Sequence, residues 1–318
     1  MRCVQPYRAF RSRARTAKGK NVISGRRVHQ EDTPISLPCG SCLPCRLERA
    51  RQHAVCCMHE ASLSEANCFV SLTYDEKSLP FGGSLVREHL RDFIKRVRKR
   101  YVYRFPNLDP VRAGVVKRIR YFACGEYGER YSRPHYHILF FGFDFPDKRK
   151  LCRREGFDIF RSDGLESLWT LGRSEIGAVS FASAGYVAGY VASKLDERVL
   201  GDREEEFCVM SQSIGIEWFK RWHPSVVARD SVIVNGVEAA IPRRYQKYLE
   251  GADPVALAKL KLQREAARLV ELRRVGDLGV MSDAEALLYG VHPDEMDGRL
   301  VAQEEFLRSR LNLRRRDM

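Results

Sequence analysis

Residues 134–142 read Pro-His-Tyr-His-Ile-Leu-Phe-Phe-Gly, and this run constrains the fold more than any other segment of the chain. The apolar stretch after the histidines is long enough for a strand with both faces covered, which places it centrally in a sheet. Alternation along a strand puts His135 and His137 on one face and Tyr136 on the other. Two neutral imidazoles on one face can serve as paired ligands for a divalent metal. A merely packed or solvent-facing histidine pair is the alternative reading of the same pattern.

The neighbouring segments supply the rest of a sheet. Phe69 to Tyr74 alternates and is rich in β-formers, so it reads as a strand. Ile119 to Glu126 reads as a second strand, followed by a turn marked by Gly125 and Gly128, and Arg133 to Phe143 as a third. If the last two are hairpin neighbours, Glu126 lies beside the histidines. Two imidazoles and one carboxylate make a three-ligand set that leaves positions for water and substrate oxygens. Glu129 is a rival third ligand. Magnesium or manganese suits phosphoryl chemistry at such a site.

Helical spacing of Val86, Leu90, Phe93, Val97 and Tyr101 predicts a helix over 85–104, with Ser84 as its N-cap. Residues 145–180 read as mostly loop, with a short helix near 165–171. Tyr186 to Leu195 reads as a helix. In it Tyr186, Tyr190 and Lys194 recur every fourth residue, about 6 Å of rise apart on nearly one face. Tyrosine is a weak nucleophile near neutrality because its pKa is about 10. A metal that polarises a phosphate, with a cation beside the phenol, answers that difficulty. Two core tyrosines in a buried helix are the alternative.

Composition narrows the partner. The 318 residues carry 55 Lys plus Arg against 41 Asp plus Glu, a net charge of +14. That surplus favours a polyanion and a salt-dependent affinity. No apolar run approaches the roughly 18 residues of a membrane span. The amino-terminal stretch has nine Lys/Arg and no acid before Glu31, without the apolar centre of a signal peptide. A reducing cytoplasm is therefore expected, in which the ten cysteines bind metal or stay buried. Cys39, Cys42 and Cys45, spaced like a zinc knuckle, form the core of a candidate structural Zn2+ site that Cys56 could close. Cys3 reads as an ordinary residue. The expected organisation is a basic arm (1–37), a catalytic domain with a Cys-rich start (38–250) and a charged helical extension (251–318), with an amphipathic helix over 254–275.

Taken in order, Phe69–Tyr74, Pro134-His135-Tyr136-His137 and the pair Tyr186/Tyr190 resemble the three motifs of the HUH endonucleases. The chain is most similar to the rolling-circle initiators of the Microviridae, gokushovirus type. Pro38 to Arg46, Gly125-Glu126-Tyr127-Gly128, Met210 to Ile216 and Ile241 to Tyr245 extend that resemblance over about residues 38–250. It departs at one place: such initiators carry a lysine three residues after the second tyrosine, where this chain has Ser193 and then Lys194.

The resemblance implies an α+β fold, a central antiparallel sheet of the RNA-recognition kind flanked by helices, with metal ligands on the sheet. It implies Mg2+ or Mn2+ held by His135, His137 and Glu126, with Tyr186, Tyr190 and Lys194 as catalytic residues. The implied activity is site-specific nicking and strand transfer through a 5′-phosphotyrosine at single-stranded or supercoiled viral origin DNA. Host DNA polymerase and helicase are the implied partners, the host bacterial cytoplasm the implied location, and no membrane is involved. A non-catalytic single-strand-binding protein, a related tyrosine transposase and a conjugative relaxase are the competing readings.

Overall fold

The computed structural model describes residues 3–17, 21–101, 119–128, 131–154, 156–193 and 201–264, with backbone alone at 190–193. The chain divides into two compact units, Met1–Glu48 with Ala258–Met318, and Arg49–Leu257.

The segment read as a basic arm is folded. β1 (Tyr7–Arg15) pairs antiparallel with β2 (Asn21–Ser24) and with β3 (Thr33–Leu37), so the small sheet runs β2-β1-β3. Arginines alternate along β1 without a matching apolar face, which is why its pattern reads as a solvated arm. α1 (Leu43–Ala61) begins in this unit and continues into the next.

The larger unit is an α+β structure built on a seven-stranded antiparallel sheet. Its strands are β4 (Asn67–Tyr74), β5 (Arg120–Tyr127), β6 (Pro134–Phe141), β7 (Arg149–Arg154), β8 (Phe157–Arg161), β9 (Gly172–Gly177) and β10 (Phe207–Met210). The order is β10-β5-β6-β4-β9-β8-β7, so β6 sits between β5 and β4 as its apolar run requires. The helices are α2 (Arg87–Tyr101), α3 (Asp163–Glu166), α4 (Phe181–Ser193), α5 (Ile216–Arg229) and α6 (Arg243–Ala252). A small hairpin of β11 (Val232–Val234) and β12 (Val237–Ala239) lies between α5 and α6 in the chain.

One face of the sheet forms the core. Val70, Leu72 and Tyr74 of β4, Tyr136, Ile138 and Phe140 of β6, and Ile176 of β9 pack with Leu90, Phe93, Ile94 and Val97 of α2 and with Leu165 and Trp169. The α2 spacing thus lies where its periodicity placed it. The helix begins at Arg87 rather than after Ser84, which instead follows a 3-10 turn at Phe81–Gly83. Residues 102–104 lie outside the described residues.

Tyr136 pins the histidine strand from behind. Its hydroxyl accepts from Val86 N–H (2.9 Å), donates to Val86 C=O (2.9 Å) and lies 2.8 Å from the Tyr74 hydroxyl. Burial pushes both phenols above their ordinary pKa, so they remain neutral donors and acceptors. Tyr136→Phe strands a buried amide and is expected to cost about 1–3 kcal/mol. Urea denaturation checks this, as a lowered midpoint with unchanged slope.

Residues 145–180 depart from the loop reading. They contain β7, β8 and β9, and α3 ends at Glu166, short of the expected 165–171 helix. The β7–β8 ribbon is exposed and charged, with Arg154 paired to Glu175 and Lys150 to Asp158. Charged sheet edges lack the apolar alternation from which strands are read. Of the expected 254–275 helix, residues 254–264 are helical and the remainder lies outside the described residues.

Candidate active site

The opposite face of the same sheet collects the polar residues. The β5–β6 register sets Glu126 opposite His135 and Cys124 opposite His137, and the β4–β6 register sets Thr73 opposite His135 and Ser71 opposite His137. Directly opposed residues share a face. The hairpin expected from sequence therefore forms, and it brings Glu126 to the histidines.

The side chains complete the arrangement. His137 Nε2 lies 3.1 Å from Glu126 Oε1. The Ser71 hydroxyl lies 2.9 Å from His137 Nδ1, and the Thr73 hydroxyl 3.1 Å from His135 Nδ1. A hydroxyl that takes the Nδ1 proton leaves the lone pair on Nε2, the atom a metal would use. The two rings are 6.4 Å apart and inclined by 25°. Phe69 stacks on His137 at 5.5 Å and fixes its plane. Gly128 keeps the space around His135, since a Cβ there would come within 2.7 Å of His135 Nε2.

Glu126 is 2% exposed, and its Oε2 has no hydrogen-bond partner. A buried carboxylate oxygen without a donor is costly unless a cation meets it. Together with two oriented imidazoles, that oxygen gives a donor set suited to a divalent ion. The three groups do not converge as tightly as the four cysteine thiols of the other unit, whose sulfurs all lie within 4.8 Å of one another. Glu129, the rival ligand, lies outside the described residues.

α4 brings the tyrosine. It starts one turn earlier than its apolar pattern suggests, because Ser180 and Ser183 cap it reciprocally. Ser183 N–H donates to Ser180 Oγ (3.1 Å) and Ser180 N–H to Ser183 Oγ (2.8 Å). Its small and apolar face, Ala184, Val187 and Ala188, is buried, and the helix packs on β5, β6 and β10. Tyr186 then stands edge-on to His137, with ring centroids 5.1 Å apart, and its hydroxyl donates to Glu126 Oε1 at 3.4 Å. Tyr190 follows one turn later in the backbone of α4. Its side chain and Lys194 lie outside the described residues.

Ser71 and Thr73 are the site residues that sequence reading passed over as plain strand positions. Their signal was present: a hydroxyl at every second residue of an otherwise apolar strand marks a polar face.

The family model for the phage replication-associated protein ORF2 matches residues 67–195, the stretch that contains β4, β5, β6 and α4. The chain is 31% identical over 289 residues to the replication-associated protein VP4 of Bdellovibrio phage phiMH2K, covering 86% of each chain. It is 31% identical over 245 residues to the replication-associated protein ORF2 of Spiroplasma virus 4, covering 72% of this chain and 73% of that one. Over 225 residues it is 28% identical to the replication-associated protein ORF4 of Chlamydia phage 1, covering 67% of this chain and 53% of that one. No solved structure matches the chain.

Proposed function

Because this chain belongs to the replication-associated proteins of the Microviridae type, we propose that it initiates rolling-circle replication as an HUH-type nuclease that nicks and rejoins single-stranded origin DNA. The observation that carries this reading is the meeting of Tyr186, Glu126 and His137 on one sheet face, with hydroxyl, carboxylate and imidazole in sequence at 3.4 and 3.1 Å.

His135, His137 and Glu126 would hold Mg2+ or Mn2+, which when bound supplies Lewis-acid polarisation of the scissile phosphate. The chain's own groups do the rest. Ser71 and Thr73 orient the imidazoles, and Phe69 and Gly128 hold their planes and space. Glu126 is the acceptor nearest the Tyr186 phenol. The phenolate oxygen of one tyrosine attacks phosphorus. The bond from phosphorus to the 3′ oxygen breaks, and that oxygen takes a proton to become a free 3′-OH. The tyrosine now carries the 5′ phosphate, so the bond energy is conserved for rejoining. Host polymerase extends the 3′-OH. Tyr190 lies one helical turn from Tyr186, so a second cleavage and an exchange of strands can occur without dissociation.

The net charge of +14 serves the phosphate backbone and predicts affinity that falls steeply with salt. Among the described residues, no helix is long and apolar enough to cross a membrane.

The test uses the full chain with a labelled single strand carrying the cognate origin region, in Mg2+ or Mn2+. The expected product is a nick with a polymerase-extendable 3′-OH. DNA that is bound but uncut with both metals would leave a single-strand-binding protein instead. Ser71→Ala and Thr73→Ala are each expected to weaken Mn2+ binding about tenfold or more while leaving DNA affinity intact, as losses of ligand-orienting groups do. Calorimetric titration of Mn2+ into each variant checks this.

A further inference from the structure

The amino-terminal unit poses a separate problem. Its three-stranded sheet has almost no core: among residues 3–48, Val4, Ala9, Leu43 and Pro44 are the buried apolar side chains beside the Cys42 thiol. A sheet this small does not hold by apolar burial alone and requires a staple.

Four thiols meet beside it. The sulfurs of Cys3, Cys39, Cys42 and Cys45 all lie within 4.8 Å of one another. Cys3 Sγ and Cys42 Sγ are 3.7 Å apart, and none of the four is in a disulfide. A tetrahedral zinc with bonds of about 2.3 Å sets its sulfurs about 3.8 Å apart. Backbone amides point at the sulfurs: Cys39 N–H at Cys3 Sγ (3.3 Å) and Cys42 N–H at Cys39 Sγ (3.3 Å). Such donors favour thiolate over thiol. Gly40 makes the turn between the first two knuckle cysteines at φ +77.

We propose that Cys3, Cys39, Cys42 and Cys45 form a closed, structural zinc site that staples the amino-terminal strand to the start of α1. It closes the loop containing β1, β2 and β3. The fourth ligand is Cys3, and the Cys56 expected from sequence is corrected. Cys56 lies eleven residues beyond Cys45 on the same helix, which is about 16 Å of rise. The β1–β3 pairing explains the substitution. Tyr7 opposes Leu37, and that register, continued past the strand ends, sets position 3 opposite position 41. A ligand set of four thiolates leaves no open position, which separates this site from the catalytic one.

The full chain, purified under reducing conditions without added metal, is the material for the test. Elemental analysis is expected to find one zinc per chain that survives dialysis against a weak chelator. It should persist in Cys56→Ser and in His137→Ala and be lost in Cys3→Ser. Cobalt exchanged into the wild-type protein should show the intense visible absorption of a tetrahedral thiolate site, a readout that does not depend on a folded Cys3 variant. Zinc lost with Cys56 or His137 but kept without Cys3, an iron–sulfur spectrum, a cluster found oxidised to disulfides, or four thiols without metal would each overturn the proposal.

Discussion

His137→Ala is expected to lower metal-dependent cleavage of the origin strand by roughly a thousandfold or more, equivalent to about 4 kcal/mol of transition-state stabilisation. The imidazole faces the buried carboxylate at 3.1 Å on one side and Ser71 at 2.9 Å on the other, with the Tyr186 ring edge-on above it. Its removal takes away a ligand and an orienting contact at once. The strand itself should survive, because Tyr136 and the apolar face below it are untouched. Single-turnover cleavage at saturating protein, beside DNA affinity over a salt series, separates the two effects. Cleavage within about threefold of wild type, an effect of under about 1 kcal/mol, would place the chemistry elsewhere.

Tyr186→Phe combined with Tyr190→Phe is expected to abolish covalent adduct formation altogether, with DNA binding and stability close to wild type. The change removes only two oxygens. The aromatic ring that remains at position 186 can still pack edge-on to His137, and the hydrogen bond to Glu126 at 3.4 Å is long enough that its loss costs little. The single variants divide the labour: each should keep cleavage by its remaining tyrosine and lose the strand exchange that ends a round. Denaturing gels of labelled adduct, run for all three variants at matched occupancy, read both outcomes.

Much of the site could be read from sequence because its residues sit in strong local patterns. The His135/His137 alternation inside an apolar run places both rings on one face of a central strand, and the short turn after Glu126 leaves little but a hairpin that brings the carboxylate across. Tyr186 follows from helical spacing. What sequence reading missed depends on pairing between distant segments or on weak patterns. β7 and β8 are charged edge strands without apolar alternation. β1 carries arginines where an apolar face would announce a strand. Cys3 reaches the knuckle only through the β1–β3 register, thirty-six residues away in sequence, whereas Cys56 is near along the chain but too far along the helix. The start of α4 lies in a Ser-x-x-Ser cap, which periodicity does not record. The α+β class, with helices flanking an antiparallel sheet, follows from the elements that did carry strong patterns.

The measurement that tests the central claim most directly is mass spectrometry of the protein after reaction with a single strand of the cognate origin in Mn2+ and nuclease trimming. The account predicts a nucleotide attached through its 5′ phosphate to the α4 peptide at Tyr186 or Tyr190, absent when a chelator removes the metal. An adduct on any other residue, or tight binding with no adduct at all, would contradict it.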